Sequence, residues 1–448
     1  MATGRLIPAG GFFVNQVASY LRKRAIVAPW HVECEDIEGI NCAVVIPALA
    51  ERATILETLR SLAANPAREL ERTLAVVVVN NRAPGVARAE DIDDNRQTLE
   101  LLRGMLRGPA RASGLRLALI DASSEGLALP PKGGVGLARR IGLDAALRAL
   151  QEAGAGEAAV LLSTDADTVV EPNYLEAVRH HFERPNAWAA TVAYAHRLEG
   201  TDAGIAAILA YETHLRCHVL GLRMAGSPYA YSTVGSTIIC SARAYAAAGG
   251  MNRRQAGEDF YFLQQLAKTG HIDAINTTTV HPAPRASHRV PFGTGRWVQQ
   301  RLDGGQELVT YHPEGYRILE AWLSLIRESS GAAPGKILAE MGRGNRPAAE
   351  FLAKQGFADC WEKLQENSPD QRVFLAQFHR WFDAFKTLKF LHHLRDNGYP
   401  LQPLWSAVRT LLERAGQTPG GMSWERLPQE AEAQRALLHH LRRLERNG

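Results

Sequence analysis

Short, almost uninterrupted apolar runs alternate with amphipathic helices through the first part of the chain. This alternation constrains the fold more than any other feature, because a strand that is apolar at every position must be buried on both faces. Helices with apolar residues at helical spacing separate the runs. Such strand–helix–strand units have right-handed crossovers, so the sequence predicts an α/β fold with an open, mostly parallel sheet and helices on both faces. Four strands are predicted in this first part of the chain, at 42–47, 74–79, 115–120 and 160–162.

A polar residue or a proline stands at or just after the end of each predicted strand: Pro47, Asn80, Asp121 and Asp165. Open α/β sheets bind ligands at the carboxyl ends of their strands, so these positions predict one shared site. Asp165 and Asp167 are two carboxylates one residue apart, and they offer hard oxygen ligands for a divalent cation. An acidic strand-to-helix loop with a capping aspartate is the alternative interpretation.

The pattern changes in the second half of the chain. A helix is predicted to begin at Gly257-Glu258-Asp259, and the last strand of the sheet is predicted at 272–280. The segment 281–297 is rich in Pro, Gly, Arg and His, and a loop of this length is typical of a lid or a binding loop. From about residue 315 the chain is almost wholly helical in pattern, which predicts a C-terminal helical region.

Composition excludes several classes of function. Lys and Arg total 51 against 47 Asp and Glu, a net charge of +4, and no basic run with interleaved aromatic residues predicts nucleic-acid binding. The five cysteines are scattered without a Cys-x-x-Cys pair, so neither a disulfide framework nor a zinc site is expected. Such cysteine usage favours a reducing, cytoplasmic setting.

Membrane contact is expected to be peripheral at most. No signal peptide and no charge-free apolar window long enough to span a bilayer is found in the sequence. Leucines alternate with arginines over 437–446, a pattern that would suit an anionic membrane surface and a lipid-linked acceptor. A helix that packs on its own domain explains the same pattern.

Five short sequence features, which follow one another along the chain, resemble the motifs of a known family. They are the strand that ends in Pro47 with Glu51 after it; the run from Lys132 to Leu143 with Gly134, Ala138, Arg139 and Gly142; Asp165-Ala166-Asp167; the segment 235–250 with its terminal Gly-Gly; and Glu258-Asp259. Together they resemble the nucleotide-sugar glycosyltransferases of the GT-A (Rossmann-like) fold, family 2 in particular, over roughly residues 40–295. The Asp-x-Asp sequence alone is weak, whereas five features in the family's order are specific.

The resemblance implies three regions: an N-terminal extension (1–39), a GT-A glycosyltransferase domain (40–300) and a helical C-terminal region (301–448). It also implies a hexosyltransferase-type reaction that moves a sugar from a nucleotide-diphosphate donor to an acceptor hydroxyl with a divalent metal, Mn²⁺ or Mg²⁺. The acceptor is left open among a small molecule, a glycan and a lipid-linked compound.

Residue roles follow from the same resemblance. Asp259 is expected to be the general base of an inverting transfer, with Glu258 orienting the acceptor or the base. Asp167 and His281 are the expected metal ligands, and His288 is a second candidate for the histidine. The expected donor-binding residues are Pro47, Glu51, Asn81, Lys132, Arg139 and Asp165, with Asp165 near the ribose or a metal-bound water. The loop arginines Arg285, Arg289 and Arg296 are weaker candidates for the diphosphate.

The chain departs from the family pattern at three places. Asn80-Asn81 stand where the family has two acids that contact the nucleotide base, so the preferred base is open. Arg140 replaces the usual Asn after Arg139. The Gln-x-x-Arg-Trp sequence of processive members is absent, which argues against a synthase that extrudes a polysaccharide.

Three other functions remain possible interpretations of the sequence. A retaining glycosyltransferase would share the metal and donor residues but need no base on the acceptor side. A sugar nucleotidyltransferase has a Gly-rich, basic loop after its first strand, and residues 47–51 offer none. A non-catalytic domain of this fold is disfavoured by the intact acids Asp165, Asp167, Glu258 and Asp259.

Overall fold

The computed structural model describes residues 14–34, 36–107, 114–284, 308–420, 424, 427 and 430–447. Most strands that the sequence predicts are present within a residue or two of the expected positions. The strands are β1 (Val32–Cys34), β2 (Cys42–Ala48), β3 (Thr73–Asn80), β4 (Arg116–Ala122), β5 (Val160–Ser163), β6 (Val169–Val170), β7 (Ala189–Tyr194), β8 (Ile238–Ser241), β9 (Ile272–His281), β10 (Val309–Thr310) and β11 (Gln402–Pro403).

The helices alternate with these strands up to β9 and dominate the chain afterwards. They are α1 (Val14–Lys23), α2 (Ile55–Ala63), α3 (Ala67–Leu70), α4 (Ala89–Arg107), α5 (Val135–Glu152), α6 (Tyr174–Phe182), α7 (Asp202–Met224), α8 (Ala242–Ala247), α9 (Glu258–Thr269), α10 (Pro313–Glu328), α11 (Pro334–Gly344), α12 (Arg346–Lys354), α13 (Phe357–Asn367), α14 (Gln371–Trp381), α15 (Ala384–Asp396), α16 (Leu404–Arg414) and α17 (Ala431–Asn447).

The chain forms two compact units. Among the described residues, the first unit contains the chain up to Arg197 together with Thr233–Ala283. The second unit contains Leu198–Ser232 and the chain from residue 308 onward. The first unit therefore holds β1 to β9, and the second holds α7 and α10 to α17.

In the described residues of the first unit, nine strands form one sheet in the order β1-β4-β3-β2-β5-β8-β7-β9-β6. Strands β4, β3, β2 and β5 are mutually parallel, and β7 pairs with β9 in parallel. The predicted mostly parallel sheet, with helices around it and a helical C-terminal region, is confirmed. The sequence did not indicate that β8 runs antiparallel to both β5 and β7, nor that β6 pairs antiparallel with β9.

The central strands are apolar because helices cover both faces. Every residue of β3 is buried, and so is every residue of β2 after Cys42. Helix α5 approaches these strands closely at Gly142, where a Cβ would lie 2.3 Å from Val45 Cγ1 and 2.8 Å from Val78 Cγ2. Gly142, one of the residues that carry the resemblance, is therefore required for packing, since α5 can lie against β2 and β3 only without a side chain there.

The N-terminal segment, for which the sequence predicts no chemistry, is part of the first unit. Strand β1 pairs antiparallel with β4 at the edge of the sheet. The Tyr20 hydroxyl of α1 donates to Asp144 Oδ1 at 2.6 Å, and the Tyr245 hydroxyl donates to the same oxygen at 2.7 Å. Arg140 donates to the carbonyl oxygens of Arg24 and Met251, at 3.0 and 2.9 Å. The arginine that departs from the family pattern thus anchors the N-terminal segment.

The second unit is a helical assembly with an aromatic core. The rings of the buried residues Trp322, Trp361 and Phe378 make edge-to-face contacts with neighbouring aromatic rings. Leu437 and Leu441 of α17 are also buried in this core, so the apolar face of α17 packs on its own unit. None of the described helices is long and apolar enough to cross a membrane.

Candidate active site

The two aspartates of Asp-x-Asp lie on a tight turn between β5 and β6. The Thr164 N–H extends the parallel ladder by donating to the Val45 carbonyl at 3.0 Å, and the Thr168 N–H closes the turn by donating to the Asp165 carbonyl at 3.1 Å. Thr58 of α2 fixes the middle of the turn, because its hydroxyl donates to the Ala166 carbonyl at 3.0 Å. The carboxyl end of a central strand therefore presents both acids, as the sequence predicts.

Arg139 is the centre of the site and is buried, with 3% of its surface exposed. Its Nη2 donates to Asp165 Oδ1 at 2.5 Å, and its Nε donates to Glu258 Oε1 at 3.1 Å. Its Nη1 donates to the Ser163 hydroxyl and, at 3.3 Å, to the Gly235 carbonyl. All three guanidinium nitrogens are thus engaged by the protein itself, and one cation joins acids from the β5 turn and from α9.

Glu258 and Asp259 form the first turn of α9, after Gly257 with a φ of +68°. A left-handed residue at this position favours glycine, and it directs the chain sharply into the helix. Glu258 is buried, whereas Asp259 is partly exposed and accepts a hydrogen bond from the Phe260 N–H at 2.7 Å. The two acids therefore differ in their surroundings: Glu258 faces Arg139, whereas Asp259 can reach solvent.

Burial dominates the electrostatics of these two acids. It raises the pKa of Glu258, and the neighbouring Asp259 carboxylate raises it further, while the Arg139 guanidinium opposes the shift. Burial also raises the pKa of Asp259, against the lowering effects of the Phe260 N–H and Arg139. A carboxylate with a raised pKa binds a proton more readily, which is the property that a general base needs.

The glycines at the start of α5 set the distance between α5 and α9. The Gly136 N–H donates to the Arg254 carbonyl at 3.2 Å, and a Cβ on Gly136 would lie 2.4 Å from that carbonyl and 2.9 Å from Glu258 Cβ. A Cβ on Gly134 would lie 2.7 Å from Gln255 Cα. The Gly-rich run therefore brings Arg139 within reach of Glu258 by allowing close backbone approach. Lys132, just before this run, is exposed.

The loops after β2 and β3 contain the other predicted donor residues. Pro47 and Glu51 are both buried, and Glu51 Oε2 accepts from the Thr54 hydroxyl at 2.7 Å. Asn81 is turned inward: its Nδ2 donates to the carbonyls of Arg82 and Ser123, at 3.0 and 3.3 Å.

Asn95 of α4, which the sequence analysis missed, ties these two loops together. Its Nδ2 donates to Asn81 Oδ1 at 2.9 Å and to the Asn80 carbonyl at 3.0 Å, and its Oδ1 accepts from the Ala50 N–H at 2.9 Å. Ala50 has a φ of +52°, so the loop after β2 is held in a conformation that residues other than glycine seldom adopt. No local pattern marks Asn95, because its partners are distant in sequence.

His281 ends β9 and pairs with Val169, two residues after Asp167. Its Nδ1 lies 3.1 Å from the Ala195 carbonyl, and its Nε2 lies 3.4 Å from Glu171 Oε1. Within the described residues, no three His, Cys, Asp or Glu side chains form a metal-binding group. His288 and the loop arginines Arg285, Arg289 and Arg296 lie outside the described residues.

Asp121, the remaining strand-end residue, serves a local purpose. Its Oδ1 accepts from the N–H groups of Ser123 and Ser124, both at 3.0 Å, and its Oδ2 accepts from Arg103 at 3.2 Å. Burial acts to raise its pKa, but the hydrogen bonds from Ser124, Ser123 and Arg103 outweigh it and lower the pKa. The side chain therefore stabilises the turn after β4.

Comparison with known proteins gives similarity at the level of structure. No family model and no curated protein sequence matches the chain. TarS 1-349 from S. aureus in complex with UDP-GlcNAc is 14% identical, with 90% of each chain covered and a TM-score of 0.39. The mannosyltransferase PcManGT from Pyrobaculum calidifontis in complex with GDP-Man and Mn²⁺ is 16% identical, with 83% of this chain and 94% of that chain covered and a TM-score of 0.34. At these scores, no residue role is transferred from either protein.

Proposed function

We propose that the chain is a metal-dependent glycosyltransferase that moves a sugar from a nucleotide-diphosphate donor to an acceptor hydroxyl with inversion. One observation carries the proposal: Asp165 of the Asp-x-Asp turn and the Glu258-Asp259 helix start are joined by the buried Arg139. This arrangement brings a candidate donor-side acid and a candidate base to the carboxyl end of the parallel strands, where open α/β sheets bind ligands.

The residues available for a metal fit a hard divalent cation. Asp167 offers carboxylate oxygens, and His281 offers a ring nitrogen. Since a carbonyl only accepts, His281 Nδ1 carries the hydrogen in its contact with Ala195, so Nε2, which lies 3.4 Å from Glu171 Oε1, is the ring nitrogen that would bind the cation. The buried hydroxyls of Thr164 and Thr168, which flank the aspartates, have no hydrogen-bond partner among the described residues.

Asp167 and His281 would hold Mn²⁺ or Mg²⁺ together with the donor's diphosphate oxygens. A bound divalent cation neutralises the negative charge that develops on a diphosphate leaving group. Lys132 is exposed beside the start of α5 and can add a positive charge for the phosphates. Glu51, Pro47 and Asn81 would border the nucleotide through the loops after β2 and β3.

Asp259 would act as the general base. It is the partly exposed member of the acid pair, and its pKa is raised by burial. Asp259 would accept the proton of the acceptor hydroxyl as that oxygen attacks the anomeric carbon, and the bond from the sugar to the diphosphate breaks on the opposite side. Direct attack of this kind inverts the anomeric configuration.

Slow hydrolysis of the donor, in which water replaces the acceptor, tests the proposal without knowledge of the acceptor. The rate and the donor affinity are to be measured for the wild type, Asp259→Asn, Asp167→Asn and the control Asp93→Asn, which changes an exposed residue of α4. Asp259→Asn is expected to retain donor binding and lose about 10²-fold or more in rate. Asp167→Asn is expected to lose the metal-dependent part of donor binding.

Two results would contradict the proposal. Hydrolysis by Asp259→Asn at the wild-type rate would remove Asp259 as the base. A product that retains the donor's anomeric configuration would replace the inverting reaction by a retaining one.

A further inference from the structure

The contacts of Arg139 differ from those of a residue that binds phosphate. A phosphate-binding arginine presents free N–H groups to the ligand, whereas all three nitrogens of Arg139 already donate to protein oxygens. The residue is also buried, and it forms ion pairs with two carboxylates, Asp165 and Glu258. Its positive charge is therefore balanced within the protein.

The two carboxylates come from opposite sides of the proposed reaction. Asp165 follows β5 and lies two residues before the expected metal ligand Asp167, whereas Glu258 directly precedes the expected base Asp259. Ser163 and the Gly235 carbonyl hold Arg139 from β5 and from the segment before β8. A shift of the guanidinium would consequently move the donor-side turn and the start of α9 relative to each other.

The spacing is built into the backbone. A Cβ on Gly235 would lie 2.4 Å from Arg139 Nη2, so only glycine leaves room for the guanidinium there. Gly136 allows α5 to approach the segment before α9, as described above. Two glycines distant in sequence thus shape the space around one arginine.

We propose that Arg139 is a positioning residue, which holds the Asp165 turn and the Glu258-Asp259 helix start at a fixed separation and does not bind the donor diphosphate. The inference rests on the proposed function, because it assigns the donor to the Asp165 turn and the acceptor to the Glu258-Asp259 helix start. Guanidinium suits this role, since its planar set of five N–H donors serves two carboxylates, a hydroxyl and a carbonyl at once. A lysine ammonium is a point charge and lacks this planar set of donors.

The test separates donor affinity from the rate at saturating donor. Titration calorimetry with the donor and the hydrolysis rate are to be measured for the wild type, Arg139→Lys, Glu258→Gln and the double variant. Arg148→Lys, on the same helix, is the matched control. Arg139→Lys is expected to lower the saturating rate about 10²-fold, the cost of a misplacement near 1 Å, with the donor Kd changed by less than about threefold.

Glu258→Gln gives a second, independent test that distinguishes positioning from diphosphate binding without a change at Arg139. If Arg139 bound the diphosphate, the loss of its carboxylate partner would free the guanidinium and tighten donor binding. A positioning role instead predicts unchanged affinity and a lower saturating rate. The saturating rate of the double variant is then expected to lie within about threefold of that of the slower single variant, because both changes break the same contact.

Failures of the two proposals are distinguishable. A wild-type protein that neither binds nor hydrolyses any nucleotide sugar overturns the proposed function. A wild type that is active, combined with Arg139→Lys that loses tenfold or more in donor affinity at an unchanged saturating rate, overturns only the positioning role. Tighter donor binding by Glu258→Gln has the same consequence.

Discussion

The close approach of α5 to β2 and β3 at Gly142 makes a quantitative prediction for Gly142→Ala. The added Cβ would lie 2.3 Å from Val45 Cγ1 and 2.8 Å from Val78 Cγ2, against an ordinary carbon–carbon contact of about 3.5–4.0 Å. Both valines are fully buried, so neither side chain can rotate into open space. Helix α5 must therefore move away from β2 and β3, or the sheet must deform.

The magnitude follows from two opposing effects. Overpacking of a tight core costs typically about 1–3 kcal/mol, and two rigid neighbours place this site near the upper end. Alanine in a helix interior regains roughly 0.5–1 kcal/mol relative to glycine. Gly142→Ala should therefore lower the free energy of unfolding by about 2 kcal/mol.

Gly104→Ala is the matched control, because it is the same substitution in α4 at an exposed position with no atom within 4 Å of the new Cβ. It should raise the free energy of unfolding by about 0.5–1 kcal/mol. Urea unfolding at 25 °C, followed by far-ultraviolet circular dichroism, measures both variants against the wild type. A Gly142→Ala variant as stable as Gly104→Ala would refute the packing of α5 against Val45 and Val78.

Three further predictions concern polar side chains. Asn95→Ala removes the partner of the buried Ala50 N–H and should lower the free energy of unfolding by about 1–3 kcal/mol in the same urea assay; a change under about 0.5 kcal/mol would contradict the linking role of Asn95. Burial lowers the pKa of His218 from 6.5 to about 4. As the pH falls from about 6.5 to 4, the unfolded chain therefore takes up a proton at this histidine, whereas the folded chain does not. Stability should therefore be lost between about pH 6.5 and 4, and His218→Gln should flatten a plot of stability against pH in that range; an identical slope in the variant would exclude the assignment. The raised pKa of Asp259 predicts that the transfer rate falls on acidification at a higher pH than an ordinary aspartate would give, since the base works only when deprotonated; a pH–rate profile that is flat down to pH 4 would contradict this.

Local pattern was sufficient for most of the fold. The parallel strands β2, β3, β4 and β5 were predictable because each is a short apolar run followed by a helix. The turn between β5 and β6 was equally visible as two acids among small polar residues. These features depend on neighbours within about ten residues, which is the range over which hydrophobic periodicity is informative.

Features that depend on distant partners could not be predicted. Strand β6 is two residues long, and only its pairing with β9 makes it a strand. Strand β1 likewise exists through its pairing with β4. A short segment has no periodicity of its own, so its structure is decided by tertiary contacts rather than by local preference.

The same limit applies within the site. The sequence identified Arg139, Asp165 and Glu258 individually, but not the ion pairs that join them across 26 and 119 residues of chain. It also placed Asn81 at the donor without any sign that Asn95 holds it inward. Charge and hydrogen-bonding capacity can be read from residue types, whereas the choice of partner requires the fold.

Metal-dependent donor binding tests the central claim most directly. Titration calorimetry of the wild type and Asp167→Asn with UDP, GDP, dTDP and CDP, each with and without Mn²⁺, measures it without an acceptor. The wild type is expected to bind one of these nucleotides more tightly with Mn²⁺, and Asp167→Asn is expected to lose this gain while Asp93→Asn keeps it. Absence of binding to all four nucleotides in the presence of Mn²⁺, or an equal metal-dependent gain in Asp167→Asn, would contradict the account.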